Sequence, residues 1–266
     1  MNKSSFFVFV LLFSVTIFDI SAQIPDSVHS LRILTFNVYH GETMKGDFDL
    51  DLIARVINNC DPDLVALQEI DVHTRRSKQM DIATELALRT KMISYFGQSM
   101  AFDGGFYGVA ILSKRPAIKI QNHPLPYSDG REPRTALEAH FVVLSGDTIR
   151  FISTHLDHID KDTDRIKQTK ELDRIFSNDD LPTILAGDLN AIPDSRTMHL
   201  LLENWQRSFN EDIPTAPTKD PRYKIDYILY RPSDSWQVIG TKVIDERVAS
   251  DHYPVLGILQ LNDISK

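Results

Sequence analysis

Residues Thr183 to Ser195 read TILAGDLNAIPDS. An apolar run, Ile184-Leu185-Ala186, leads into Gly187. An Asp and an Asn follow one residue apart, then a Pro and further turn formers. The pattern predicts a buried strand that stops abruptly and presents Asp188 and Asn190 at its end. The same arrangement recurs, and the recurrence decides the fold. Apolar stretches run into polar residues at Asn37 (ILTFN), Glu69 (LVALQE) and His155 (FISTH), with Asp226 at a strand start (YKID) and Asp251-His252 ahead of YPVL.

Between these stretches lie further β-like segments, KMISYFGQ, GVAILSK, AIKIQNHPL, TALEAHFVVL and WQVIGTKVI, and a few helices. LDLIARVINNC carries apolar residues at helical spacing and is closed by Asp61-Pro62; DIATELALRT and SRTMHLLLE are shorter helical candidates. DTDRIKQTKELDRIF is the clearest amphipathic helix, with Ile166, Leu172 and Ile175 on its apolar side and charge elsewhere. Strand-rich halves, each accompanied by helices, predict an α/β chain of two packed sheets flanked by helices. With 266 residues, ordinary apolar and charged content and no tandem repeat or long linker, residues 23–266 are expected to form one domain.

The start, MNKSSFFVFVLLFSVTIFDISAQ, places Lys3 before an apolar stretch from Phe6 to Phe18 and then the small pair Ser21-Ala22. This reads as a secretory signal peptide over residues 1–22, because the apolar stretch falls short of the roughly 20 residues that span a bilayer. The expectation is an exported protein, periplasmic or secreted, with no transmembrane segment once the leader is removed; an uncleaved anchor is the competing reading. Cys60 is the single cysteine, so no intramolecular disulfide forms and a packed small residue is a better reading than a nucleophile. A net charge of -8 gives no long-range attraction to nucleic acid, so a nucleic-acid partner is possible but not favoured.

If the strand ends converge on one edge of a sandwich, a pocket there gathers the carboxylates Glu69, Asp188, Asp226 and Asp251, the imidazoles His155 and His252, and the carboxamides Asn37 and Asn190. Oxygen donors suit a hard cation, Mg²⁺ or Mn²⁺, and a lone Cys rules out a thiolate zinc site. Such an ion does most for a phosphate, whose charge it neutralises as the bond breaks. Each residue alone has a plainer explanation: a Gly-Asp turn, an edge histidine, a capping Asp. Their joint occurrence is what points to chemistry.

In their order, TFNV, DPDLVALQE, YGVAILSK, STHLDH, GDLN, KIDYIL and SDHYPV resemble the endonuclease/exonuclease/phosphatase superfamily of metal-dependent phosphoesterases, over about Leu31 to Leu261. The resemblance implies a four-layer α-β-β-α sandwich. It also implies that Glu69 is the principal metal ligand with Asn37 beside it, and that Asp251 supports the metal or water from the other side. Asp226 then orients His252 as base or charged phosphate clamp, Asp188 and Asn190 position the attacking water or leaving oxygen, and His155 hydrogen-bonds the phosphate. The implied reaction is in-line attack of a metal-organised water on a phosphorus ester. Arg131 and Arg134 in REPR, Arg75 and Arg76 after Glu69, and Tyr107 are candidate substrate contacts, since guanidinium forks suit phosphate oxygens.

The resulting expectation is an exported Mg²⁺-dependent phosphodiesterase or phosphomonoesterase for a small or lipid-linked phosphate ester. The alternatives are a secreted nuclease, a catalytically silent member that binds a ligand, and, more distantly, a glycoside hydrolase using Glu69 and Asp188 as its two acids. The last leaves the His and Asn residues without a role.

Overall fold

The computed structural model describes residues 30–262, so the expected leader over residues 1–22 lies outside the described residues. In chain order the elements are β1 (Ser30–Asn37), α1 (Leu50–Cys60), β2 (Leu64–Val72), α2 (Ile82–Thr90), β3 (Ile93–Phe102), β4 (Gly105–Ser113), β5 (Lys119–Leu125), β6 (Arg134–Val142) and β7 (Thr148–His155). They continue with α3 (Thr163–Phe176), β8 (Thr183–Asp188), α4 (Arg196–Leu201), β9 (Gln206–Arg207), β10 (Asp226–Arg231), β11 (Trp236–Val243) and β12 (Val255–Leu261). Among the described residues the strands form two six-stranded mixed sheets, ordered β11-β12-β1-β2-β4-β3 and β5-β6-β7-β8-β10-β9. Each sheet contains one parallel pair, β1 with β2 and β7 with β8. No helix among the described residues is long and apolar enough to cross a membrane.

Side-chain alternation builds three apolar layers, which is why the strands read as continuous hydrophobic runs. Ile33, Ala66, Val109, Phe151, Ile184 and Ile228 meet between the sheets. Their neighbours Leu34, Phe36 and Leu67 face outward against Ile53 and Ile57 of α1 and Leu86 of α2. On the other side Ile152, Leu185 and Leu229 pack against Leu172 and Phe176 of α3 and Met198 of α4. The order is therefore helix, sheet, sheet, helix, as the resemblance implies.

Gly187, inside the stretch that opens the sequence, is demanded by close approach rather than by a special backbone angle. A Cβ there would lie 2.0 Å from the carbonyl oxygen of Thr154 on the neighbouring β7. Gly187→Ala must push the two central strands apart, and it is expected to cost about 2 kcal/mol or more in urea unfolding, at the upper end for overpacking. A variant within 0.5 kcal/mol of wild type, roughly the scatter of neutral surface changes, would contradict that packing.

Two sequence expectations are refined. β2 does not end at Glu69 but runs on to Val72, with a bulge between Leu67 and Ile70 in its pairing with β4. The inner face of α3 is less apolar than its pattern suggests, because Asp164, Arg165, Gln168 and Thr169 are buried beside Leu172 and Phe176. Two of these fasten the loop after β7. Gln168 Oε1 accepts from Asp157 N at 2.9 Å, and Arg165 Nη1 donates to Asp157 O and Ile159 O at 2.8 and 2.6 Å.

Candidate active site at the edge of the sandwich

The period of two that fills the space between the sheets also sets the site. Continuing Ile33-Thr35 gives Asn37, Phe151-Ser153 gives His155, Ile184-Ala186 gives Asp188, and stepping back from Ile228 gives Asp226. Register then aligns them across the second sheet, His155 opposite Asp188 in the parallel pair and Asp188 opposite Asp226 in the antiparallel one. Polar side chains thus form the last rung of an otherwise apolar layer.

Glu69 reaches the site by a different route. Leu67 points toward the helices, so unbroken alternation would send Glu69 there too. The bulge, with Glu69 in the left-handed region at φ 59°, turns its side chain into the cleft instead. Asp251 and His252 arrive on the loop before β12, which Ser250 ties to β1 by donating its Oγ hydrogen to Asn37 O at 2.7 Å.

At the centre sits Asp188, almost fully buried. Its Oδ2 faces Asn37 Nδ2 at 3.2 Å, His155 Nε2 at 3.3 Å and His252 Nε2 at 3.7 Å, and its Oδ1 accepts from Asn190 N at 2.9 Å. Burial alone would raise its pKa, but His155 and His252 hold it well below the usual carboxylate range. His252 Nδ1 lies 2.9 Å from Asp226 Oδ2, so one imidazole stands between two carboxylates. Burial pulls its pKa down, yet Asp226 and Asp188 outweigh that and raise it to about 10, leaving His252 cationic at neutral pH. Asn190, left-handed at φ 48°, donates Nδ2 to Leu156 O at 3.1 Å. Asn37 accepts from Tyr39 N at 3.1 Å through Oδ1 and turns Nδ2 toward Glu69 Oε1, also at 3.1 Å.

Where a cation fits follows from these charges. Asp188, Asp226 and His252 lie within ligand distance of one another, but a cationic imidazole already fills the space between the two carboxylates. Glu69 and Asp251 are different. Burial raises the Asp251 pKa and the charges of Glu69 and Asp188 add to that against the pull of His252, while Asp251 itself lines the adjoining hollow with Tyr39 rather than the cleft of Glu69. Burial opposes the ionisation of Glu69, but His40, His155 and Asn37 hold its pKa down to about 2. An ionised oxygen donor with a second carboxylate near enough to feel its charge suits a hard divalent cation.

The cleft has a volume of about 340 Å³ and is lined by Glu69, Asp188, Asn190, His155 and His252, with Tyr107 and two arginines on its flanks. Arg76 makes a bidentate pair with buried Asp71, at 2.6 and 2.9 Å, and its guanidinium lies 4.5 Å from the Phe102 ring centroid. Arg134, buried, reaches His158 Nδ1 at 3.0 Å and Glu132 at 3.2 Å. Two expected contacts are corrected. Arg75 points outward to Asp103 with its side chain 74% exposed, because Asp71 draws in only its neighbour, and Arg131 does not line the cleft. Sequence reasoning missed Met100, Phe102, Glu132 and His158, which line the cleft, and His40, beside Glu69. His158 stands in STHLDH beyond the end of β7, where no strand period says that it joins His155 in the cleft.

A four-layer sandwich carrying carboxylates, histidines and arginines at the shared edge of its sheets defines a phosphoric ester hydrolase. The Endonuclease/Exonuclease/phosphatase family model matches residues 34–252, and the chain belongs to that family, whose members are divalent-metal-dependent phosphoester hydrolases. Several solved structures share the fold. An endonuclease/exonuclease/phosphatase from Beutenbergia cavernae DSM 12333 is 22% identical with a TM-score of 0.75, over 88% of this chain and 72% of that one. The mannosyl-6-phosphatase of Bacteroides thetaiotaomicron VPI-5482 is 19% identical with a TM-score of 0.69, over 86% and 99%. The human Nocturnin catalytic domain with bound sulfate anion is 17% identical with a TM-score of 0.70, over 88% and 96%.

Proposed function

We propose that this chain is an exported Mg²⁺-dependent phosphoesterase that hydrolyses a small phosphate mono- or diester by in-line attack of water. The observation that carries the reading is the ionised Asp188, flanked by His155 and cationic His252 in the cleft that Glu69 also lines. Glu69 and Asp251 would hold the cation, which supplies charge neutralisation at the phosphoryl oxygens. Asp188 accepts a proton of the attacking water and aims it, with Asn190 beside it. His252, protonated and held by Asp226, gives its proton to the leaving oxygen as the ester bond breaks, and His155 donates to the phosphoryl oxygens as their charge develops. Arg76 and Arg134 orient the ester from the flanks.

A cleft of about 340 Å³ supports a small substrate, and the net charge of -8 weighs against a nucleic-acid backbone. The similarity of fold to a mannosyl-6-phosphatase is compatible with a phosphorylated polyol. The leader-like sequence of residues 1–22 supports export.

The test is a substrate panel on protein recovered from the periplasm and medium of a bacterial host, with Mg²⁺, Mn²⁺ or chelator. p-Nitrophenyl phosphate, bis-p-nitrophenyl phosphate, sugar phosphates and plasmid DNA cover the classes. Cation-dependent turnover of a small ester is expected. For that ester, Arg76→Ala should raise KM by about 10- to 100-fold, the worth of a charge-assisted bond, while Arg75→Ala leaves it unchanged. Nicking of plasmid alone would replace the small ester by a nucleic acid. Turnover of nothing would leave a binding protein, and recovery only from the cytoplasm would refute export.

A further inference from the structure

The turn after β1, beside Glu69, takes consecutive residues into the left-handed region. Tyr39 and His40 are both left-handed, at φ 46° and 44°, and Gly41 follows at φ 88°. A turn that only reversed the chain would use Gly or Asn at such positions. Gly41 satisfies a packing need, since a Cβ there would meet the Phe48 ring at 2.5 Å. Neither need explains a histidine at position 40.

The side chain does. The His40 imidazole, 13% exposed, lies between two carboxylates, with Nδ1 3.5 Å from Glu69 Oε2 and Nε2 3.4 Å from Glu42 Oε2. Tyr39 buttresses it with ring centroids 4.5 Å apart. Each Glu69 oxygen therefore has its own nitrogen: Asn37 Nδ2 faces Oε1 and His40 Nδ1 faces Oε2. Glu69 stands on a bulge with its carboxylate aimed across the cleft, so rotation about its terminal bond is what these two contacts control.

We infer that His40 is a positioning residue for Glu69: held between Glu69 and Glu42 by the left-handed turn, its imidazole fixes the rotation of the Glu69 carboxylate and so sets the affinity for the divalent cation. The inference rests on the reading of Glu69 as a cation ligand. His40 touches neither substrate nor reacting atoms in this scheme. It acts as outer partners of metal-binding side chains do, by orienting the donor and tuning its basicity.

Calorimetric titration of the full chain with Mn²⁺ at one fixed pH tests it, using wild type, His40→Gly, His40→Asn and Glu69→Gln. Glycine accepts the left-handed backbone at no steric cost, so His40→Gly keeps the turn and removes only the imidazole. Asparagine also tolerates that backbone and places a donor near the position of Nδ1. The expected result is affinity weakened about 10- to 100-fold in His40→Gly and within about threefold of wild type in His40→Asn, the range found for outer-partner changes. Both variants should still melt cooperatively above the temperature of the titration. His40→Gly binding as wild type does, or His40→Asn failing to recover, overturns the role of His40 provided Glu69→Gln loses binding. If wild type binds no Mn²⁺, or Glu69→Gln binds as wild type does, Glu69 is not the ligand and both readings fall together.

Discussion

His252→Ala is expected to lower kcat by about 10³- to 10⁴-fold at neutral pH, the upper range for a positioned proton-transfer group. The residue stands between Asp226 and Asp188, and both carboxylates keep it charged. Its partner gives the diagnostic experiment. Asp226→Asn keeps shape but removes the larger of the two opposing charges, so the His252 pKa falls from about 10 toward its ordinary value of 6.5. Because the cation is the working form, activity is lost as pH rises. The alkaline limb of the kcat profile should lie near pH 10 in wild type and move down by two or more units, roughly the weight of a buried carboxylate neighbour, in Asp226→Asn. The sign for stability is the same. A histidine raised in the folded state stabilises it fully below the unfolded pKa of 6.5 and loses that contribution as pH climbs through about 10. Urea melts in chelator should show this decline in wild type and not in His252→Ala. Full activity of His252→Ala would remove the residue from the mechanism.

Glu69→Gln is expected to abolish cation-dependent turnover, with kcat/KM down by about 10³-fold or more, on the order of 4 kcal/mol of transition-state stabilisation. The amide keeps the volume of the side chain and removes its charge, so the fold and the bulge should survive. Far-ultraviolet dichroism should therefore be unchanged while Mn²⁺ titration is flat. Linkage gives an independent readout. With a folded pKa of about 2 against an ordinary 4.5, Glu69 contributes stability that is present above about pH 4.5 and lost as pH falls toward 2. The Gln variant should lack that part of the acid limb. Cation-dependent turnover near the wild-type level in Glu69→Gln would move the cation elsewhere in the cleft.

The residues that sequence reasoning places well are those that obey the strand period. Asn37, His155, Asp188 and Asp226 extend apolar alternation by one more step, so the end of each run announces both its position and its face. Glu69 is harder. Its neighbourhood reads as a strand, but its orientation depends on a bulge, and nothing in LVALQEIDV marks one. A similar limit separates Arg75 from Arg76: adjacent and identical in type, they part because buried Asp71 captures only the second. His40 was invisible for a third reason. Its value lies in a strained turn, and YHG carries only one glycine for three left-handed residues. Local pattern reaches as far as regular backbone does, and here the departures from regularity carry the outer contacts of the site.

The pairing of β1 with β12 has a practical corollary. Ser30, where the polypeptide enters β1, lies in register with Gln260, one residue before it leaves β12. Both points sit at the end of the sandwich away from Asn37, about 23 Å off for an eight-residue strand. A surface, a carrier domain or a second enzyme linked there would share one attachment face, and the mouth of the cleft would look the other way. Ser30 and Gln260 are also near enough for a short linker to bridge β1 and β12, so a permuted chain could be opened in an exposed turn with the catalytic edge left intact.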